Sequence, residues 1–422
     1  MKRITKLLPL LALLAILCFA WLTRVYRLGF PAEYVFDEIY HVPTIRLIAT
    51  GDPRSFEWWH GPIYSNDHYD WLHPPLAKYF QAGSWLIFGQ NATAWQLSSA
   101  IFGTLGILLT FIVAQLAFQS TTLSLLAAFL LALDCLWLVQ SRVAMNDVFM
   151  TVWLLVTLVV YFYYHRRQKL TWLLLVGLFA GLGLATKWSA GLWLMGILIW
   201  ESIEQLRNNR IRQLPWIIFC LLILPIFIYI LSYLPMFLQG KNLHYFLVLH
   251  FQIWRYQILG TTVHLYQSTP WQWLLNLRPV WYWSGGVDQQ IYALNNPLLA
   301  WFAVIALVLL LLGLIKAVKK QANYAIHFLL MLVGVLLVPW FFSPRIAFYY
   351  HYTPVVPIMA ILLAFVLNTL YSGHSGRYSK IVFFLILTSL VWSFWLYYPH
   401  WIGLSVSKLF NQTVYWLLPS WR

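Results

Sequence analysis

Long apolar runs broken by short polar stretches dominate the chain. Crossing about 30 Å of hydrocarbon takes roughly 20 helical residues, and eleven runs approach that length: 7–26, 95–116, 121–139, 145–164, 170–185, 188–203, 214–236, 297–316, 325–342, 353–371 and 380–398. The fifth and sixth are short and are interrupted by Lys187 and Gly191. Two gaps are long, 27–94 and 237–296, and both are rich in Trp, Tyr and His. Loops of that length carry function or structure of their own, and aromatic residues collect at membrane surfaces. The pattern therefore predicts an all-α integral membrane protein of about eleven transmembrane helices. Its two long extracytoplasmic loops carry short interfacial helices. Three regions follow: 1–236 with the first loop, the second loop at 237–296, and a C-terminal four-helix region with an outside tail at 297–422.

Composition removes most alternatives. Hydrophobic residues make up 61% of the 422 positions and charged residues 9%, against about 25% charged in a soluble domain. Mean hydropathy is +0.71. A globule this apolar could not cover its own surface, which excludes a soluble enzyme, a DNA-binding module and a disulfide scaffold. Met1 to Lys6 followed by an apolar run looks like a signal peptide, but no Ala-x-Ala site follows, so an uncleaved first span is expected. Cys18, Cys135 and Cys220 lie inside apolar runs and are expected to be packing residues.

The excess of 27 Lys and Arg over 12 Asp and Glu gives an orientation rather than a nucleic-acid partner. With the N-terminus inside, the inside segments hold fourteen basic residues against Glu201 and Glu204, and the outside holds thirteen basic against ten acidic. Short inside loops rich in Lys and Arg set topology. The N-terminus is thus expected in the cytoplasm and the C-terminus outside.

Chemistry-bearing residues gather on the outer side of that topology. Asp37 and Glu38 follow the first span in Phe36-Asp37-Glu38-Ile39-Tyr40-His41. Adjacent carboxylates there are costly unless paired or used, although water at the interface is the simpler account. His60, Asp67, His68, Asp70 and His73 are possible metal ligands by type, but their spacing fits no zinc pattern, and neither a metal nor any other cofactor is expected. His73-Pro74-Pro75-Leu76-Ala77-Lys78 predicts a turn into an interfacial helix carrying Lys78. Arg142 and Asp147 either pair with each other or line a polar cavity with Asp37 and Glu38. Lys187, Arg345 and His351 sit at the outer ends of other spans, where snorkelling is the simple alternative. Their shared face favours a site.

In order along the chain, Phe36-Asp37-Glu38, His73-Pro74-Pro75-Leu76-Ala77-Lys78, Arg142 with Asp147, Lys187-Trp188, Pro270-Trp271-Gln272-Trp273 with Arg278-Pro279, and Tyr350-His351-Tyr352-x-Pro354 resemble the protein O-mannosyltransferases. These are polyprenyl- or dolichyl-phosphate-mannose-dependent enzymes of the GT-C glycosyltransferase fold. The chain departs from them at Ala77, where Gly is frequent, and at Met145-Asn146, where Leu-Leu is frequent. It also lacks the soluble sugar-binding-like domain of eukaryotic members, which suggests a short bacterial-type member.

The resemblance implies transfer of mannose from a polyprenyl phosphate to Ser or Thr hydroxyls of exported proteins, with inversion, at a bacterial inner membrane. It makes Asp37 the base and gives Glu38 the acceptor to bind or orient. Arg142, Lys187, Arg345, His73, Lys78, Asp147, Arg278 and His351 become the candidate donor-binding residues. A lipid-phosphate sugar already has a good leaving group, so the chemistry needs a base and positive charge for the departing phosphate. The partners implied are the lipid-linked donor, a polypeptide acceptor and membrane lipid; the oligomeric state is left open. Two other readings stand beside it: a related transferase with another sugar or a lipid acceptor, such as a lipid A aminoarabinose transferase, and a membrane transporter. A transporter places its polar groups near the midplane, whereas these cluster at one surface.

Overall fold

The computed structural model describes residues 2–59, 68–259, 263–317, 319–372 and 376–421, with side chains from Leu7 onward. Helix α1 (Lys2–Val25) leads to a loop that holds α2 (Glu38–Ala49) and α3 (Leu76–Phe88). The bundle continues with α4 (Ala92–Phe118), α5 (Thr121–Ala132), α6 (Cys135–Gln140), α7 (Asp147–Arg167), α8 (Leu170–Leu184) and α9 (Ala190–Arg207). Next come α10 (Leu214–Ile218), a π-helical turn at Phe219–Ile223, and α11 (Leu224–Leu231). The second long loop contains α12 (Leu234–Leu238), α13 (Leu243–Leu259), α14 (Pro270–Leu274) and the strands β1 (Val280–Ser284) and β2 (Gln290–Ala293). Helices α15 (Pro297–Leu311), α16 (Lys320–Leu337), α17 (Val356–Ser372) and α18 (Gly376–Ile402) complete the bundle.

Every predicted apolar run coincides with helix. Among the described residues, seven segments are long and apolar enough to cross a membrane: Leu7–Val25, Ala92–Phe118, Asp147–Arg167, Ile211–Leu231, Lys320–Phe342, Tyr349–Ser372 and Gly376–Ile402. Thr121–Ala132, Leu170–Leu184 and Pro297–Leu311 are shorter apolar helices. The break expected near Lys187 is the turn between α8 and α9.

Two details depart from the sequence reading. The run 121–139 is two helices, because Asp134 stops α5 and caps α6 by accepting the Trp137 N–H at 2.8 Å. The second loop carries an antiparallel hairpin, pairing Val280 with Ala293 and Ser284 with Gln290 around an irregularity between Trp281 and Trp283. Alternating aromatic and β-branched residues, Val280-Trp281-Tyr282-Trp283 and Ile291-Tyr292, flank Gly285-Gly286, which is the composition of a hairpin.

Close packing of α8 shapes the middle of the bundle. Pro225 has no N–H to give the preceding turn, and the π-helical turn precedes it. A β-carbon on Gly177 would collide with the Cys220 carbonyl in that turn, so the missing side chain allows the two backbones to meet. The core around α4, α5, α7 and α17 is continuous and apolar, with Trp137, Tyr161 and Trp193 fully buried in it.

Candidate active site at the loop end of the bundle

One end of the bundle holds a cavity of about 750 Å³ beneath the two long loops. Asp37 and His41 come to it from α2, Asp70 and His73 from the rest of the first loop, and Lys187 from the α8–α9 turn. Tyr256 and Gln257 come from α13, and Arg345, Tyr350 and His351 from the segment after α16.

Asp37 is held from several sides. Phe36 before it adopts φ 53°, a left-handed conformation uncommon for a bulky residue. Its N–H donates to the Tyr282 carbonyl of β1 at 3.1 Å, and its ring stacks on Tyr282 with centroids 4.4 Å apart. The hairpin thereby sets the direction in which the next residue points. Asp37 is the N-cap of α2, yet its carboxylate makes no capping hydrogen bond and lines the cavity instead. The Tyr350 hydroxyl is a hydrogen-bond partner of that carboxylate. Burial pushes Asp37 up to about 6, although His41 and Lys187 pull it down.

Glu38 faces the other way and is 0% exposed. Its carboxylate accepts the Val35 N–H at 3.0 Å, the Ala144 N–H at 2.8 Å and the Gln96 amide at 3.0 Å. Burial raises it to about 7 despite these bonds. It ties α2 to α4 and to the turn before α7. Glu38 therefore does not meet an acceptor in the cavity as the sequence suggested; it fastens the helix on which Asp37 sits.

The basic residues divide in the same way. Lys187 lines the cavity and pairs with Asp147 at 2.8 Å, its ammonium 5.2 Å from the Tyr350 ring centroid. Arg345 lines it too, donating to Gln257 Oε1 at 2.6 Å across the face of Tyr256. The His351 ring lies between Trp273 and Tyr350. Lys78 is 1% exposed and pairs with Asp70 at 2.7 Å, so it is a counter-ion behind the cavity wall and does not line the cavity as an expected donor ligand would. Burial pushes Asp70 up, but His73, Lys78 and His41 hold it well below the usual carboxylate range.

Lys78 and Asp147 stand behind the cavity lining as counter-ions, and two further expected donor ligands, Arg142 and Arg278, lie elsewhere. The Arg142 guanidinium donates to the carbonyls of Arg24, Tyr26 (2.9 Å) and Arg27 (3.1 Å). It caps the outgoing end of α1, pairs with neither Asp147 nor Asp37, and does not line the cavity. Arg278 donates to the Leu265 carbonyl at 2.8 Å and the Ser420 carbonyl at 3.1 Å, pinning the tail to the second loop. In both cases orphan backbone carbonyls satisfy the cation.

Of the possible metal ligands, His60 and Asp67 lie outside the described residues. His68 packs against Tyr40. Asp70 and His73 meet His41, with one ligand atom of each within 4.8 Å of the others. A divalent cation could span that distance, but the Lys78 ammonium already occupies the Asp70 carboxylate.

Two family models match the chain: the dolichyl-phosphate-mannose-protein mannosyltransferase family over residues 14–239, and the C-terminal four TMM region of protein-O-mannosyltransferase over residues 242–421. The chain belongs to the protein O-mannosyltransferase family. A polyprenol-phosphate-mannose–protein mannosyltransferase of Corynebacterium glutamicum is 25% identical, the alignment covering 92% of this chain and 88% of the relative. One of Mycolicibacterium smegmatis is 24% identical, covering 96% and 91%. The fold is that of the Saccharomyces cerevisiae Pmt1-Pmt2 complex bound to the sugar donor, with a TM-score of 0.82 at 13% identity over 97% of this chain and 92% of that one. ArnT from Cupriavidus metallidurans bound to undecaprenyl phosphate has a TM-score of 0.60 at 13% identity, over 96% and 77%. Membership in the family makes this a multi-pass membrane glycosyltransferase.

Sequence reading did not assign a role to His41, Tyr350, Tyr256 or Gln257, all of which line the cavity. His41 had a signal, since it stands four residues after Asp37 on the same helix face. Tyr256 and Gln257 had none, because α13 reaches the cavity only through the folding of the second loop.

Glu38 and Arg142 yield a paired prediction. Glu38→Ala strands three buried donors, at about 1–3 kcal/mol for each, and should lower the thermal midpoint in detergent more than it raises the donor KM. Arg142→Ala removes charged hydrogen bonds of about 1.5–3 kcal/mol and should also act on stability. A tight-binding donor titration that collapses in Arg142→Ala at unchanged midpoint would return Arg142 to the donor site.

Proposed function

We propose that this chain transfers mannose from a polyprenyl-phosphate-mannose donor to Ser or Thr hydroxyls of a polypeptide, with Asp37 as base. What supports the reading is a half-buried carboxylate, raised towards neutrality and left uncapped, that shares one cavity with Lys187 and Arg345. The named relatives in Corynebacterium glutamicum and Mycolicibacterium smegmatis point to the same donor and to a protein acceptor.

The roles follow from the chemistry. The acceptor oxygen attacks the anomeric carbon, its proton passes to Asp37, and the bond to the phosphate oxygen breaks with the electron pair leaving on phosphate. A single displacement without a covalent intermediate inverts the anomeric centre, as one-step glycosidase chemistry does. Charge grows on the phosphate, and preorganised cations at that position lower the barrier. Lys187 keeps ammonium hydrogens beyond the one given to Asp147, and Arg345 keeps guanidinium donors beyond the one given to Gln257. His351 and His73 are further polar groups on the same wall. The lipid tail remains in the bilayer beside the bundle. In this reading the cavity faces outward from a bacterial inner membrane, with the N-terminus in the cytoplasm.

Asp37→Asn should lower turnover by roughly 10²–10⁴-fold, the range for removing a general base, while leaving the thermal midpoint close to that of the parent. Purified protein supplied with radiolabelled polyprenyl-phosphate mannose, a Ser/Thr-rich peptide pool and a lipid extract tests this directly. Label is expected in peptide, released by alkaline β-elimination and absent with Asp37→Asn; label confined to lipid would move the acceptor to the class served by lipid-modifying relatives.

The pH profile carries a sign. Below about 6 Asp37 is protonated and cannot accept the hydroxyl proton, so kcat/KM should fall on the acid side of that value. Lys187 lowers the Asp37 value, so Lys187→Met should move the acid limb to higher pH. An acid limb that stays in place would separate Lys187 from Asp37.

Metal removal is the fourth test. With Lys78 on Asp70 and Lys187 and Arg345 in the cavity, fixed cations stand where a metal would serve, and transfer should survive EDTA. Complete loss restored by one divalent ion would reverse this.

A further inference from the structure

Asp70 carries three basic groups on one buried carboxylate. His73 Nδ1 is 2.8 Å from Oδ1, His41 Nδ1 is 3.1 Å from Oδ2, and the Lys78 ammonium is 2.7 Å from Oδ2. Backbone contacts fix the carboxylate in turn: the Asp70 N–H reaches Thr44 Oγ1 at 2.8 Å and the Tyr40 carbonyl at 3.2 Å, both on α2. Asp70 is thereby lashed to the helix that begins at Asp37.

We infer that Asp70 is a positioning residue that turns the His41 and His73 imidazoles so that Nδ1 of each faces inward and Nε2 faces the cavity. This setting places His41 beside Asp37 and His73 towards Lys187, and it rests on the reading of Asp37 as base and Lys187 as part of the phosphate site. An imidazole whose Nδ1–H is held by a carboxylate has a fixed tautomer and a fixed ring plane. Its other nitrogen then carries a lone pair at a defined place. For His41 that place is one helical turn from Asp37, and both side chains line the cavity. For His73 the neighbouring charge is Lys187. The two rings sit 5.7 Å apart at 38°, bridged by the one carboxylate.

The consequence is a division of labour on one wall. His41 Nε2 offers a hydrogen-bond acceptor next to Asp37, which takes the O–H of the Asp37 carboxyl once the acceptor hydroxyl has given its proton to Asp37. Lys78 balances the Asp70 charge, so the carboxylate can stay ionised in a buried place and keep both rings aligned. Asp70 itself lines the cavity at the edge of this arrangement and acts through the rings it holds.

The test reads geometry and rate separately. Protein carrying 15N-labelled histidine, in nanodiscs, is compared with His41→Ala and His73→Ala to assign two of the twelve histidines. A proton on Nδ1 and a bare Nε2 on both rings in the parent are expected; a ring with Nδ1 unprotonated, or with both nitrogens protonated, overturns the inference, whatever the enzyme transfers. In the rate measurement Asp70→Asn, which cannot accept from all three groups, should lower kcat by up to about 10²-fold, the size of effect expected from a 1 Å misplacement, with a smaller change in donor KM. Asp70→Asn with His41→Ala should then lose less than the sum of the two single losses, what remains being the share carried through His73. Fully additive losses overturn it. Should Asp70→Asn fail to fold, the histidine spectra of the parent still decide. Activity retained by Asp37→Asn would instead sink the base assignment and leave the tautomer result standing.

Discussion

A buried charge at the rim of an apolar bundle survives only with an opposite charge or fixed hydrogen-bonding dipoles beside it. The end of the bundle that holds the cavity is organised by that constraint. Lys187 on the α8–α9 turn meets Asp147 at the start of α7, and Lys78 on α3 meets Asp70 in the first loop. Removing one partner of such a pair leaves an uncompensated buried charge, at a cost of about 3–5 kcal/mol. Each pair therefore joins two segments that the apolar core alone would leave free to slide. The α3 start is also tied to the end of α8, where the Leu76 N–H donates to the Ala185 carbonyl at 3.1 Å. Loop and bundle are locked together at the point where chemistry is expected.

The same logic explains why adjacent carboxylates have opposite duties. Asp37 and Glu38 are neighbours in sequence, and the start of α2 sends their side chains to different sides. Glu38 finds two backbone N–H groups and the Gln96 amide, which is what a buried carboxylate requires. Among the described residues Asp37 finds the Tyr350 hydroxyl and nearby positive charge. One is satisfied and structural; the other is left with capacity to accept a proton. Phe36, held by the hairpin, makes the difference by fixing the backbone turn just before them.

Much of this was legible in the chain. Helix positions followed from apolar run length, because in lipid the backbone must satisfy its hydrogen bonds within each span. The break at Lys187 was visible as a charge and a glycine in a weak run. Asp37, Lys187, Arg345, His73 and His351 were all singled out, and the fold brings them to one cavity. What was not legible depended on partners distant in sequence. Arg142 reads as a functional cation, yet its partners are backbone carbonyls 115 to 118 positions away, which no side-chain pattern reveals. Lys78 reads as exposed on an interfacial helix until Asp70 folds against it. Asp134 lies inside an apolar run, and only its capping of α6 shows why the run is broken there.

Charge counting around the cavity sets what the donor must meet. Asp147 absorbs Lys187 and Asp70 absorbs Lys78, so the cation left without a carboxylate partner among these wall residues is Arg345, set against Asp37. If it is the proposed phosphate site, a site so nearly neutral would hold a phosphate not by net charge but by donors already in place. Lys187 and Arg345 are each fixed by one bond and keep the others free. In the proposed reaction that arrangement would favour the moment when negative charge moves from the attacking side, where Asp37 would take a proton and become neutral, to the departing phosphate. On that proposal, as Asp37 lost its charge, Arg345 and Lys187 would lose a competitor and could turn their full field on the leaving group. Proton uptake and phosphate departure would then be coupled through the same few charges, and the low dielectric that makes them costly to assemble would make that coupling strong.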